Sequence, residues 1–458
     1  MPKSKREQRR YNNPDFRRRT QMPLPPVEEI ETRLRELLSP AALAPLRVAG
    51  GREASKLRER LLTLPVMAAL LVSLVWRNMP SLAEALRALA TEGLLWVGPL
   101  SVSEQALSKR LQSLPASVFA DLLRDVVRRI NEQRDEQRDE QRDEQPGQTD
   151  RAKERFAALW AADASTLDVL IRHCQPLRGL PLQPAGKVMM LVDLFTRCPK
   201  DAFYSEDPKV NDKTFNDRWV PLVGKEELVV FDCGFLSFAL FDRLSEQGSF
   251  YVTRLRTDVR YQVVRVLSEG PHYQDALVKL GLDPHHPCQH PARLVSVLWR
   301  GVWYRYLTNV LDPQRLSAQE VCSLYRRRWR IEEAFLCTKR LLGLTYLWVG
   351  GSNGIQIQVY TTWLFYAVLT DLCAQVAALL DVAHERISEE MVYRGLYHYS
   401  RALQRGTALS AAQYLADNAK LLGVLKNQRE RHRERQQEEA NLWSQPDAQP
   451  DAQPDAQP

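Results

Sequence analysis

An α/β core set between two helical regions is the fold class this sequence predicts, and three observations carry it. Residues 27–131 show helical periodicity with little β-branched alternation. Four short apolar runs, Ala157–Ala162, Lys187–Asp193, Leu228–Asp232 and Ser249–Leu255, read as strands. From Ser317 the helical pattern returns, first around Val359–Ala378, which is almost without charge, and then over residues 386–442, which are increasingly charged. With 458 residues, 44% of them apolar, the chain can hold two or three domains around real cores.

The elements follow in order. Residues 1–26 form a basic arm that composition predicts to be disordered. Its first 20 residues hold Lys3, Lys5, Arg6, Arg9, Arg10, Arg17, Arg18 and Arg19 against Glu7 and Asp15. Such an arm suits the phosphate backbone of nucleic acid, or is simply a solvated tail. Residues 27–131 form an all-α region. Within it Leu64–Trp76 is the most apolar stretch, and its 13 residues predict a buried helix, because a membrane span needs about 20. Ser103–Pro115 predicts a capped helix with Gln105, Ser108, Lys109 and Gln112 on its polar face and Ala106, Leu107, Leu111 and Leu114 on its apolar face. It is similar to the recognition helix of a helix-turn-helix, with an ordinary amphipathic helix as the alternative.

Residues 132–152 are a charged Glu-Gln-Arg-Asp repeat that cannot build a core. They either extend the preceding helix as an exposed rod or link two domains. In residues 153–258 a strand hairpin is followed by strand, helix (Ser237–Glu246) and strand, the opening order of an RNase H-like domain. Residues 259–313 are β-rich, with strands expected at Tyr261–Leu267 and Arg293–Asn309. The second part of the core, residues 314–380, opens on a helix over Ser317–Leu342, with Ser317 and Glu320 spaced for a capping box. Residues 381–442 are a helical C-terminal region. Residues 443–458 repeat Pro-Asp-Ala-Gln and have no reason to fold.

Charge and cysteine usage narrow the setting. The formal net charge is +7, from 63 basic and 56 acidic residues. The seven cysteines are scattered without a CxxC pair, which fits a reduced cytoplasmic compartment better than a disulfide framework. The N-terminus is polar and basic, and a secretory signal is not expected. His285, His286, Cys288 and His290 lie too close together for standard zinc spacing, so a proline-containing loop is the expectation there.

Tyr325, Arg328, Glu332 and Lys339 carry the functional signal. At about 100° per residue they fall near 0°, −60°, −20° and −40° on a helical wheel, one arc of about 60°. Glu333 lands near +80°, so the two adjacent glutamates are not equivalent. A carboxylate ringed by cationic donors suits a metal ion gripping a phosphate; a solvated, salt-bridged helix is the plain alternative. Two aspartates at the ends of expected strands complete a set of oxygen ligands: Asp163 in Leu159–Leu167 and Asp232 in Leu228–Leu236. Asp193 also ends an apolar run and competes with Asp163. Asp242 lies in the helix after Asp232 and reads as a surface charge.

The spacing Y-x2-R-x3-E-x6-K, together with Tyr304–Glu320 before it and Gly350–Ile355 after it, resembles the IS-four family of bacterial DDE transposases. The resemblance covers roughly Leu159–Ile355. It implies an RNase H-like core in which Asp163, Asp232 and Glu332 hold Mg2+ or Mn2+, two ions together. It implies that residues 259–313 interrupt that core as a β-rich insertion and that Tyr325, Arg328 and Lys339 contact DNA phosphates; Arg254, at a strand end, is a further candidate phosphate contact. Trp299 or Trp303 would hold a flipped base, with core packing as the alternative; Lys109 would contact DNA from the N-terminal region. Cys233 departs from the family, which often carries a polar or basic residue there; a thiol beside a ligand invites soft metals or oxidation.

The implied reaction is metal-dependent cleavage of double-stranded DNA at terminal inverted repeats, then strand transfer into target DNA. The implied assembly is a homodimer on DNA, in the bacterial cytoplasm at the nucleoid, with no membrane partner. An RNase H-like nuclease without strand transfer, and an inactive DNA-binding derivative, are the alternatives.

Overall fold

The computed structural model describes residues 24–38, 61–141, 155–169 and 183–426, apart from single positions 284, 286, 345, 350 and 409. The basic arm up to residue 23, most of the repeat linker, residues 427–442 and the C-terminal repeats lie outside the described residues. Among those described, the N-terminal region holds α1 (Glu28–Leu38), α2 (Leu64–Trp76), α3 (Leu82–Thr91), α4 (Glu104–Ser113) and α5 (Ala116–Gln141). The strands are β1 (Leu159–Val169), β2 (Gln183–Asp193), β3 (Pro199–Ser205), β4 (Leu228–Phe231), β5 (Phe250–Arg254), β6 (Gln262–Gly270), β7 (Tyr273–Lys279), β8 (Ala292–Trp299) and β9 (Val302–Thr308). Helix α6 (Phe238–Glu246) crosses between β4 and β5. After the strands come α7 (Ala318–Arg327), α8 (Arg330–Leu336), α9 (Ser352–Leu379), α10 (Glu389–Gln404), α11 (Ala411–Asp417) and α12 (Ala419–Leu422).

All nine strands form one sheet, in the order β3-β2-β1-β4-β5-β9-β8-β7-β6. β1, β2 and β3 are antiparallel neighbours, β4 and β5 run parallel to β1, and β9 returns antiparallel to β5. The β-rich segment, residues 259–313, joins the same sheet. Its strands continue the core sheet, because β9 takes the open edge of β5. Two strands went unanticipated. β3 opens on Pro-Lys-Asp, a poor strand signal. β7 carries Asp275 at a fully buried position, which local pattern reads as exposed. Arg293 of β8 neutralises it there, with Nε and Nη2 at 2.7 and 2.6 Å from the two carboxylate oxygens.

Alternation along the strands sorts the sheet into two faces. Ala162, Phe231 and Tyr251 face α6 and Trp219. Ala161, Val230 and Val252 face the opposite way, into a core shared with α7, α8, α9 and the N-terminal helices. At the centre of that core lies α9, long and apolar enough by length and composition to cross a membrane, yet mostly buried inside this protein. Its Trp363 and Tyr366 are fully covered. Helix α5 packs along α9 and runs on through the charged repeat to Gln141, so the repeat begins as helix. Arg128 pairs with Glu132 one turn on, and Arg134 reaches Asp371 of α9 at 3.0 Å.

The predicted helix over Ser317–Leu342 is three pieces. It starts as expected: Ser317 caps α7 and Glu320 completes the capping box. Past Tyr325 the ladder tightens, with Arg328, Trp329, Ile331 and Glu332 each bonding three residues back. After α8 it widens into a π turn over Cys337–Leu341. Tight and wide turns rotate the chain in opposite senses, so the common arc survives the interruptions. Ser317→Ala should cost about 1 kcal/mol of stability, seen as a lower denaturation midpoint.

Candidate active site

The parallel register of β1 and β4 sets the site. Ala162 lies opposite Phe231, so the next positions, Asp163 and Asp232, come side by side. By alternation both side chains take the face of Ala161 and Val230, the face covered by α7 and α8. Asp163 stands inside β1, not at its end as the sequence suggested, because the strand runs on to Val169. Asp232 follows the last residue of β4.

The helical pieces bring Tyr325 and Arg328 onto these aspartates, with Glu332 and Lys339 alongside. The Tyr325 hydroxyl donates to Asp232 Oδ1 at 3.0 Å. Arg328 Nη1 lies 2.5 Å from Asp163 Oδ2, and its Nη2 is 3.9 Å from Glu332 Oε1. Lys339, on the π turn, donates to Ser165 Oγ at 2.7 Å and to the Thr166 carbonyl at 2.5 Å. Tyr325 and Arg328 are buried, whereas the Glu332 side chain is 45% exposed and faces the solvent-accessible side of the cluster.

The three carboxylates share one field. Burial pushes the Asp163 carboxyl up to about 6; Arg328 opposes this, and Asp232 and Glu332 reinforce it. Glu332 is likewise raised by burial, with Arg328 opposing and Asp232 adding. Among the described residues no three His, Cys, Asp or Glu side chains stand close enough to hold a metal ion as they are. Arg328, itself buried, is paired with Asp163 and approaches the exposed Glu332. The donor set is nevertheless all oxygen and mutually repelling, the chemistry that a hard divalent cation relieves.

The competing residues go elsewhere. Asp193 caps the β2–β3 turn, accepting from the backbone of Phe195 at 2.9 Å and of Thr196 at 2.6 Å. Asp242 is no surface charge: it is buried and accepts from the backbone of Gln289 at 2.9 Å and of His290 at 3.0 Å. Its helix lies under the loop that carries the His-Cys cluster, and burial of one turn of that helix is invisible to local pattern. Glu333 points away from the aspartates to Arg197 and Lys426. Burial pushes the Cys233 thiol up, with Asp232 adding to the shift, so the thiol stays protonated and its reactivity is damped.

The other expected contacts lie outside this cluster. Arg254 is exposed at the end of β5, 5.4 Å from the Tyr304 ring centroid. Tyr306 is its partner on β9, so the β8–β9 hairpin overhangs the end of the sheet that carries Asp232. Trp299 and the 45%-exposed Trp303 stand near the tip of that hairpin, beside the Arg300–Gly301 turn, where both φ angles are positive. Lys109 is exposed on α4, which Ser103 caps. Leu107 and Leu111 form its buried stripe, and Ala106, expected on that stripe, is exposed. Ser165 and Thr166 were missed; alternation from Asp163 would have placed Ser165 on the same face.

A profile of the Transposase DDE domain matches residues 178–367. The match contains Asp193, Asp232 and Glu332 and begins after Asp163. The transposase InsG for insertion sequence element IS4 of Escherichia coli K12 is 29% identical over 27% of this chain and 29% of its own length. The Sinorhizobium fredii protein y4zB, which carries a transposase name, is 26% identical over 31% of this chain and 41% of its own. A Geobacillus stearothermophilus protein named for insertion sequence element IS5377 is 23% identical over 36% and 45%. This chain therefore matches less than half the length of each of these relatives. The cryo-EM structure of the piggyBac transposase synaptic complex with hairpin DNA covers 90% of this chain at a TM-score of 0.41 and 11% identity.

Proposed function

We propose that this chain, whose residues 178–367 match a transposase DDE domain, is an IS4-type DNA transposase that cuts the ends of a mobile element and joins them to target DNA. What supports the reading is that Asp163 and Asp232 lie side by side on β1 and β4, with Arg328 paired to Asp163 and 3.9 Å from Glu332, and Tyr325 on Asp232. The sheet order β3-β2-β1-β4-β5, with β1 to β3 antiparallel and β4 and β5 parallel to β1, supports an RNase H-like core.

Asp163, Asp232 and Glu332 would hold Mg2+ or Mn2+, two ions together, which supply Lewis-acid stabilisation of the attacking and leaving oxygens. Around them Arg328 and Lys339 bring cationic donors and Tyr325 a hydroxyl to the scissile phosphate, arginine as a planar fork and lysine as a point charge. In the protein alone these donors sit on Asp163, Ser165 and Asp232, so binding DNA exchanges protein oxygens for phosphate oxygens. Water first cleaves the end, and the freed 3′-hydroxyl then attacks the target phosphodiester, with no covalent protein–DNA intermediate.

Arg254 and the tryptophans of the β8–β9 hairpin extend the DNA-contacting surface beyond Asp232. Lys109 and the N-terminal helices are the proposed reader of terminal inverted repeats. Joining two ends calls for a homodimer on double-stranded DNA in the bacterial cytoplasm, at the nucleoid.

Incubation with a pre-cut, end-containing duplex and a target plasmid in Mg2+ tests the reading. Joined product supports a transposase. Hydrolysis without joining identifies a nuclease of the same fold, and no chemistry with retained DNA binding identifies an inactive derivative. The pH dependence is a separate check. Asp163 holds its proton up to about pH 6, and a cation needs the carboxylate, so Mn2+ affinity should fall as pH drops from 7 through 6. Titration calorimetry at pH 7.5 and 5.5 measures it, and equal affinities contradict the assignment of Asp163.

A further inference from the structure

Helix α8 has only seven residues, held between a tightened turn and a π turn. It carries Glu332 and Glu333 side by side, about 100° apart around the axis. A modest rotation would present the wrong glutamate to Asp163 and Asp232. Ile331, Ala334 and Phe335 bury the helix against the core, but apolar packing is not directional enough to set such an angle.

Arg197 supplies a directional tie. It lies in the β2–β3 turn, 1% exposed, with a left-handed φ of 61°. Its Nη1 is 2.9 Å from Glu333 Oε2 and 3.0 Å from Glu389 Oε1 of α10. Glu389 is itself fixed by the Tyr366 hydroxyl of α9 at 3.0 Å. The turn is anchored by the Arg197 amide donating to the Asp193 carbonyl at 2.9 Å, and β2 pairs directly with β1, the strand of Asp163. One guanidinium thus ties the sheet bearing Asp163 to the helix bearing Glu332. Stability alone is a poor reason for it. A non-glycine left-handed residue is strained, and the buried Nε and Nη2 lack hydrogen-bond partners.

We infer that Arg197, through Glu333, is a positioning residue that sets the rotation of α8 so that Glu332, and not Glu333, faces the two aspartates. The inference rests on the reading of Asp163, Asp232 and Glu332 as cation ligands. Its test is Mn2+ binding by the full chain without DNA, followed by electron paramagnetic resonance, with thermal midpoints measured alongside. Arg197→Met is expected to weaken Mn2+ binding about tenfold or more, the usual cost of losing a residue that orients a ligand. Arg197→Lys, which keeps a cation, should recover part of the loss. Glu333→Gln should weaken binding in the same direction while Arg197 stays paired with Glu389, and it decides the matter if Arg197→Met does not fold. A lowered midpoint with wild-type Mn2+ affinity in a folded variant overturns the inference. Wild-type Mn2+ binding that is indifferent to Asp232→Asn overturns instead the ligand reading beneath it.

Discussion

Asp232→Asn should cut both end cleavage and strand transfer on the order of a thousandfold, the cost of removing one member of a preorganised charge-stabilising site. Asn keeps the size and still accepts from the Tyr325 hydroxyl, so the contact at 3.0 Å can persist. The charge goes, and with it the ability to hold a hard cation beside Asp163. Under the proposed function both reactions should fall together, because one site would serve water in the first and a 3′-hydroxyl in the second. Asp232 is the better choice than Asp163, whose loss would leave the buried Arg328 without its carboxylate and confuse chemistry with folding. Glu332→Gln should match it in activity and disturb stability little, since that side chain is 45% exposed. Near-wild-type nicking by Asp232→Asn, with an unchanged thermal midpoint, would remove these carboxylates from the mechanism.

The second large effect is on stability. Arg293→Met should destabilise the protein by about 3–5 kcal/mol, the cost of stranding a buried charge. Arg293 and Asp275 are both almost fully buried, joined by two short hydrogen bonds. Arg293 Nη1 also donates to the Leu316 carbonyl at 2.5 Å, one residue before the Ser317 cap. The pair therefore fixes where α7 begins, and α7 carries Tyr325. Arg293→Met combined with Asp275→Leu should recover most of the loss, because two apolar residues strand no charge. Urea denaturation of the three proteins checks this; equal stability of the single variant and wild type would show that the pair contributes nothing.

Legibility in the sequence followed the range of the interactions. The arc of Tyr325, Arg328, Glu332 and Lys339, the Ser317 capping box and the buried helix Leu64–Trp76 depend on residues within a turn or two, and each is visible in local spacing. β7 was not, because Asp275 looks like a surface residue until Arg293 from another strand is beside it. Asp242 was misread for the same reason, its partners Gln289 and His290 lying more than 40 residues away. The merging of the β-rich segment into the core sheet was also hidden, since which strand takes the edge of β5 is decided by pairing across the fold.

Residue type and helical period, which are properties of the chain, set Tyr325, Arg328, Glu332 and Lys339 on one arc, while the preference for Asp163 over Asp193 came from the family resemblance. Tertiary structure alone decided how they meet. The parallel register of β1 and β4 set Asp163 beside Asp232, and a broken helix set the exposed Glu332 beside Arg328, which pairs with Asp163. In the protein without DNA, Arg328 then lies on the very carboxylate it helps to assemble. Contacts across 69 and 165 residues of chain have no local signature; only folding the sheet and closing the helices over it brings those charges near enough to feel one another.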